Sequence, residues 1–244
     1  MAKYLLAYFT GTGNTQKVTE LLAEDLRSQG EVELFPMEKL TRDQVRPELE
    51  SYDKIGILYP IHAFNAPRIV FDFIEQIGDF KQKKTFILKS PGSDFWQGGS
   101  IKIMRDFLLK HQAQVFYENL VVAPPNYLWK KSAAEEQKIW QRATLKIHSI
   151  AQDLDYQKEK REKTSPLVHL ISKIISKMET RGAQEFAQSL VVNAKCQKCG
   201  LCIKNCPQQN IYWEQDQIKF GKNCLMCLRC IKNCPVQAIS KLGK

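Results

Sequence analysis

Cysteine is missing from the first 195 residues of this 244-residue chain and from its last ten. No disulfide framework can therefore run through the bulk of the protein. Long apolar runs are missing too: none approaches the roughly 18 residues that a membrane span needs. The start, Met1-Ala-Lys-Tyr-Leu-Leu-Ala-Tyr-Phe9, is too short an apolar stretch for a secretory signal and lacks its small-residue cleavage region. Acidic residues are scarce at one end. Residues 190–244 hold nine Lys/Arg against two Asp/Glu, whereas 1–150 hold 20 against 18 and 151–189 hold seven against six. The overall charge of +10 thus sits mainly in the last quarter. No recognition motif or base-stacking platform accompanies it, so nucleic acid is not an expected partner. A hydrophobic content of 43% with 25% charged residues is that of a soluble folded protein.

What is present is concentrated. All eight cysteines fall between 196 and 234 in two copies of one spacing: Cys196, Cys199, Cys202, Cys206-Pro207, then Cys224, Cys227, Cys230, Cys234-Pro235. Zinc sites pair two cysteine knuckles and have no use for a third thiolate one turn later or for a following proline. The doubled C-x2-C-x2-C-x3-C-P run resembles bacterial dicluster ferredoxins over about fifty residues. The resemblance implies two 4Fe-4S clusters: Cys196, Cys199, Cys202 and Cys234 on one, and Cys224, Cys227, Cys230 and Cys206 on the other. The second copy ends Cys234-Pro-Val-Gln-Ala-Ile239, the usual pattern, whereas the first has Asn210 in the alanine position before Ile211. That departure spares the ligands and bears on local packing and on the potential of the nearer cluster. Thiolate clusters of this kind point to a reducing cytoplasm, and their negative charge accounts for part of the local excess of lysine.

About 190 residues precede this unit, enough for one ordinary domain and a connection. Residues 3–9 are a nearly continuous apolar run ending in Thr10-Gly11-Thr12-Gly13-Asn14-Thr15. A strand buried on both faces reads this way, and the loop's N–H groups can face an anion. A helix follows, with Val18, Leu21, Leu22 and Leu26 on one stripe and Gly30 stopping it, so the loop meets a helix N-terminus that favours phosphate. The glycine spacing does not make a Walker loop, and Gln16 breaks a dinucleotide G-x-G-x-x-G. The run resembles instead the flavodoxin phosphate loop, T-x-T-G-x-T, with hydroxyls from Thr10, Thr12 and Thr15 and close approach at Gly13.

Further strands are expected at Glu31–Phe35, Lys54–Tyr59, Thr85–Leu88 and Val115–Val122, with residues 36–52 weakly helical at best. Amphipathic helices open at Asn65-Ala66-Pro67, run through Ile101, Met104, Phe107 and Leu108, and open again at the capping box Ser132-Ala-Ala-Glu135. Strands alternating with helices give an α/β, doubly wound parallel sheet. The flavodoxin resemblance implies five strands in the order 2-1-3-4-5, followed by an α+β dicluster ferredoxin domain. In such a sheet the ligand lies beyond the carboxyl ends of the first and third strands. The resemblance implies that the loops Pro60-Ile61-His62-Ala63-Phe64-Asn65 and Ser90-Pro91-Gly92 through Phe95, Trp96, Gly98 and Gly99 clasp the isoalloxazine of FMN.

Each loop residue also has a plainer reading. Phe64 and Trp96 are either stacking groups or lids packed on their own core, and His62 faces the flavin, a substrate, or neither. Asn126 and Tyr127 border the same end of the sheet. His111, His148 and His169 have no partner nearby in sequence and read as structural or solvent-facing. The charge run 156–165 reads as a solvated linker. The apolar stripe Leu167, Val168, Leu170, Ile171, Ile174, Ile175 and Met178 reads as an interdomain docking helix, with a membrane-surface helix as the other option.

The expected division is thus 1–155, a flavodoxin-like FMN domain; 156–189, a linker and connecting helix; and 190–244, the dicluster domain. Together the halves resemble flavodoxin–ferredoxin fusion proteins of anaerobes. That resemblance implies electron transfer between a protein redox partner and a flavin-reduced acceptor, within one chain or across a homodimer; the basic charge of the last quarter favours an acidic docking surface on that partner. The other classes are an FMN-dependent reductase of a small molecule, with His62 or Tyr127 as proton donor, and a non-catalytic redox sensor or cluster carrier with an empty flavin pocket.

Overall fold

The computed structural model describes residues 1–62, 65–93, 98–125, 131–165 and 182–241. Its first strand, β1 (Ala2–Tyr8), sets the layering. Side chains alternate along a strand, so Tyr4, Leu6 and Tyr8 enter one core layer while Leu5, Ala7 and Phe9 enter the other. With apolar groups on both faces, β1 can lie only inside a sheet covered on both sides.

The sheet has five parallel strands in the order β2-β1-β3-β4-β5. These are β2 (Gly30–Pro36), β3 (Lys54–Pro60), β4 (Lys84–Ser90) and β5 (Gln114–Leu120) around β1. This is the expected order, and the strand ends differ from the expected ones by one or two residues. One face is covered by α1 (Asn14–Leu26) and α5 (Ala133–Asp155), which bury Val18, Leu22 and Leu26 beside Ile147, Ile150 and Leu154. The other carries α3 (Arg68–Ile77) and α4 (Gly98–Lys110), through Ile69, Val70, Phe73 and Ile74 and through Ile101, Met104 and Leu108. Each such side chain contributes about 1.5–3 kcal/mol by leaving water. Both halves of the Ser132–Glu135 capping box are formed. The crossover after β2 is irregular as expected, with only the short α2 (Glu38–Arg42) and a single 3-10 turn, Leu49–Ser51.

The expectation of a solvated linker at 156–165 needs correction. Its side chains are largely exposed, but its backbone runs beside β5: Lys160 N–H donates to Phe116 O at 3.0 Å and Glu118 N–H to Lys160 O at 2.9 Å. β5 ends the sheet, and an end strand presents unpaired backbone groups that favour an added strand. Burial of charge adds a second reason. Lys89 is fully buried in β4 and meets Glu162 at 3.1 Å, while buried Glu118 pairs with Arg105 and accepts from Glu162 N–H at 2.8 Å. A buried ion without such partners would cost several kcal/mol. The charged residues of this run are what the sheet's buried charges require.

The C-terminal part is small. β6 (Leu190–Val192) pairs antiparallel with β9 (Ile239–Lys241), and β7 (Ile211–Glu214) forms a hairpin with β8 (Gln217–Phe220). Phe186, Leu190, Leu228 and Ile239 make its core, with Cys202, Cys224, Cys230 and Cys234 packed against it. Phe186 comes from the helical stretch 182–188, ahead of the expected start at 190. Among the described residues no helix is long and apolar enough to cross a membrane.

Candidate redox site at the domain seam

At the carboxyl end of the sheet, three loops are tied together around Thr10–Thr15. Gly13 adopts a left-handed conformation, φ 100°, with nothing within 4 Å of where a Cβ would stand, and its N–H donates to Thr10 Oγ1 at 3.0 Å. It is also the N-cap of α1, with no side-chain cap, so the amides of that helix's first turn stay open to an anion. Asn14 Nδ2 donates to Pro124 O at 2.6 Å, and the Thr15 and Ser90 hydroxyls lie 2.6 Å apart. The loop is therefore held to the last residue of β4 and to the segment after β5, as a phosphate cradle shared by several strand ends would be. The chemistry of a flavin phosphate fits it.

The remaining expected flavin contacts divide. Pro60 ends β3, and His62 and Asn65 close a tight turn by exchanging backbone hydrogen bonds of 2.9 and 2.8 Å. Ile61 packs against the adjoining core. Pro91 O accepts from Ala123 N–H at 2.9 Å, Gly92 abuts Pro125, and Gly98 and Gly99 open α4. Ala63, Phe64, Phe95 and Trp96 lie outside the described residues, as do Asn126, Tyr127, His169 and the stripe 167–178. His111 is structural as expected, its ring lying 2.8 Å from Gly78 O.

His62 has a partner that the sequence did not suggest. Its Nδ1 lies 3.2 Å from Leu225 O, between the first two cysteines of the second copy. A carbonyl only accepts, so this nitrogen carries the proton. Burial pushes the imidazole pKa down to about 4, which leaves the ring neutral near pH 7. A neutral ring bonded to a carbonyl is poorly placed to act as the proton donor proposed for a reductase.

The cysteines separate into two groups. Cys206, Cys224, Cys227 and Cys230 line one apolar-walled cavity, and the Cys230 thiol feels the charges of the other three. Cys202 is coupled to Cys196 and Cys199. Cys206, fourth in the first copy, thus stands with the second copy's trio, as a shared-ligand dicluster unit requires. Burial pushes the Cys227 thiol up to about 11 and Cys230 to about 12, so cluster assembly there has to displace protons. Among the described residues no three His, Cys, Asp or Glu side chains are arranged to hold a metal ion. The four thiols line one cavity instead, and four thiolates are the ligand set that a cube of iron and sulfide takes. Backbone amides reach the sulfurs as well: Asn210 N–H to Cys206 at 3.3 Å, Ala238 N–H to Cys234 at 3.2 Å and Met226 N–H to Cys224 at 3.3 Å.

These two regions touch. A Cβ on Gly11 would stand 2.5 Å from the carbonyl oxygen of Cys227, so only glycine allows the second cysteine loop to lie on the phosphate loop. Leu225 is buried in the core layer of β1 and β3, with Cys227 packed against it. Arg229 reaches across the same seam to Thr10 O and to the Glu38 carboxylate. Arg229, Glu38 and Leu225 were not singled out from sequence. The signal available was that the second copy carries Leu225, Met226 and Leu228 where the first has Gln197, Lys198 and Gly200.

Comparison with known proteins agrees with this anatomy. Residues 5–124 match the model of a flavodoxin domain, and residues 195–238 that of a 4Fe-4S dicluster domain. No curated protein sequence matches the chain. Among solved structures it is similar to oxidised flavodoxin 1 from Bacillus cereus, at 19% identity and a TM-score of 0.46, over 65% of this chain and 100% of that one. It is also similar to rubredoxin oxygen:oxidoreductase from Desulfovibrio gigas, at 18% identity and a TM-score of 0.45, over 64% of this chain but only 36% of that one. The chain is a fusion of an N-terminal flavodoxin-like domain with a C-terminal 4Fe-4S dicluster ferredoxin domain, and its cofactors are FMN and two 4Fe-4S clusters.

Proposed function

We propose that the protein is an intramolecular electron relay, exchanging single electrons between a protein redox partner and its flavin through the two clusters. Bound FMN takes electrons singly or in pairs, while each cluster passes one; the fusion thereby joins a one-electron carrier to a two-electron acceptor. The observation that carries this reading is the packing of Cys227 on Gly11, which sets a cluster ligand against the phosphate loop.

In this assignment Thr10–Thr15 with α1 hold the flavin phosphate, and the segments 60–65 and 90–99 enclose its ring. Cys206, Cys224, Cys227 and Cys230 hold the inner cluster; Cys196, Cys199, Cys202 and Cys234 hold the outer one. Leu225, Phe186, Phe220 and Leu228 line the inner cavity beside these thiols, which are only partly exposed. Cys199, by contrast, is exposed, and the exposed Lys195, Lys198 and Lys204 flank it in the sequence. That end suits an acidic one-electron carrier, attracted by charge and so sensitive to salt.

The test is anaerobic purification with iron, acid-labile sulfide and flavin analysis, followed by rapid mixing of the oxidised holoprotein with a reduced acidic carrier. Flavin absorbance should fall together with that of the clusters, more slowly at high salt. A full iron complement that binds no FMN on addition would remove the flavin half of the assignment. Flavin that stays oxidised while both clusters bleach would refute the relay.

A further inference from the structure

Arg229 stands between two ligands of the inner cluster, and its guanidinium is engaged on four sides. Nη2 donates to Thr10 O at 2.5 Å, on the phosphate loop. Nη1 lies 2.9 Å from Glu38 Oε1, at the start of α2, and 3.3 Å from Asn205 O, next to the crossing ligand Cys206. The guanidinium carbon lies 5.8 Å from the centre of the Phe9 ring, at the end of β1. One side chain thus holds the phosphate loop, the β2–α2 corner and both cysteine segments that line the inner cavity. Lysine could not do this: its ammonium is a point charge, whereas the guanidinium fork presents donors in fixed directions.

The surroundings show that the contact is built in. The side chains of Arg229 and Glu38 are only 12% and 14% exposed, so the pair is mostly removed from water. The second Glu38 oxygen, Oε2, is buried with no hydrogen-bond partner among the described residues. Arg229 is therefore the cation on which this carboxylate depends. At the equivalent position of the first copy stands Leu201, which is 39% exposed.

We infer that Arg229, braced by Glu38, is the positioning residue of the seam: it fixes the inner cluster loop on the flavin phosphate loop and places a buried positive charge beside that cluster. The inference rests on the relay reading for its purpose, but its physical content is separable. A nearby cation favours the more negative, reduced form of a cluster. Its removal lowers that cluster's potential and leaves the outer one unmoved. Loss of the fork also frees the phosphate-loop amides, because the loop loses the acceptor contact at Thr10 O.

Full-length holoprotein with Arg229→Gln, Arg229→Lys and Glu38→Gln tests this through amide hydrogen exchange, EPR-monitored redox titration and cofactor content. Arg229→Gln should keep its iron and flavin and exchange the amides of residues 10–13 and 225–229 about tenfold faster, the effect of one charge-assisted hydrogen bond. It should also lower one cluster potential and not the other. Arg229→Lys should restore the potential without restoring the exchange protection, which a merely space-filling role would not predict. Wild-type exchange and wild-type potentials in a fully loaded Arg229→Gln protein would overturn the inference. If that variant loses its cofactors, Glu38→Gln, which removes only the ion pair, decides: unchanged exchange at 10–13 would overturn it equally. Failure of the relay would appear separately, as a wild-type flavin that the clusters do not reduce.

Discussion

The two cysteine copies have one spacing and one backbone. Lys198 and Met226 share a left-handed conformation, at φ 55° and 51°, as do Gly200 and Leu228, at 71° and 61°, and Gln209 and Gln237, at 49° and 50°. Their surroundings are opposite. The outer copy carries Gln197, Lys198 and Leu201 toward solvent, while the inner copy buries Leu225 and Leu228 and turns Arg229 into the seam. Cluster chemistry fixes the cysteines and the loop conformation, and the residues between them decide what each cluster faces. Even a left-handed position, where a leucine costs about 1–2 kcal/mol more than glycine, is given to Leu228 because its side chain completes the small core.

The strongest way to break this asymmetry is to remove one ligand from each copy. Cys227→Ser and Cys199→Ser should each lose about half of the iron, one cluster of two. Only Cys227→Ser should also cut the flavin off from the remaining cluster. With a small diffusible reductant, rapid-mixing absorbance should show flavin reduction following the surviving cluster in Cys199→Ser and lagging far behind it in Cys227→Ser. Equal lag in both would mean that the two copies are equivalent toward the flavin.

Glycine substitutions probe the same contrast more gently. Gly11→Ala puts a methyl 2.5 Å from a backbone oxygen that cannot swing aside. Overpacking of this kind costs about 1–3 kcal/mol and should open the seam, which weaker FMN retention and faster exchange at residues 225–229 would report. Gly200→Ala, in the outer copy, meets nothing within 4 Å and strains only its own left-handed backbone, at about 1–2 kcal/mol. Seam exchange and FMN retention should stay as they are.

Asn210, the one departure from the usual motif, has an architectural role. It is buried; its Nδ2 donates to Gly221 O at 3.0 Å and its Oδ1 accepts from Asn223 N–H at 2.7 Å, next to Cys224. Asn210→Ala removes both hydrogen bonds, each worth about 0.5–1.5 kcal/mol. The inner cluster should then bleach faster in chelator than the outer one. Equal bleaching of the two would show that the side chain does not hold the inner loop.

Much of this anatomy could be read from the chain. Short, nearly continuous apolar runs placed β1 and most of its partners, the Ser132–Glu135 box placed α5, and eight thiols at fixed spacings announced two clusters. These are local signals, in which neighbouring residues answer to one element. The seam is different, because its contacts join residues as far apart as Thr10 and Arg229, or His62 and Leu225, and nothing in either segment names its partner. The same holds for Glu162, a member of a polar run until buried Lys89 is seen to need it. Gly11 shows the limit well: its presence beside a phosphate loop already had a sufficient explanation, which hid its second use as the landing point of Cys227.

The last contrast concerns His62, which ties the flavodoxin-like domain to the inner copy at Leu225 and has no counterpart at Gln197 among the described residues. Its pKa of about 4 in the folded protein lies below the usual 6.5, because burial penalises the imidazolium. The unfolded chain therefore takes up the proton first as pH falls. Folding is unpenalised above about pH 6.5 and loses stability progressively down to about pH 4, by at most about 3 kcal/mol. His62→Gln keeps a donor for the Leu225 carbonyl but cannot titrate. Compared with it, the wild-type protein should lose protection of the seam amides between pH 6.5 and 5, while the outer copy exchanges alike in both proteins. Parallel pH profiles at the seam would show that His62 is protonated in place and that the docking of the inner cluster does not depend on its neutrality.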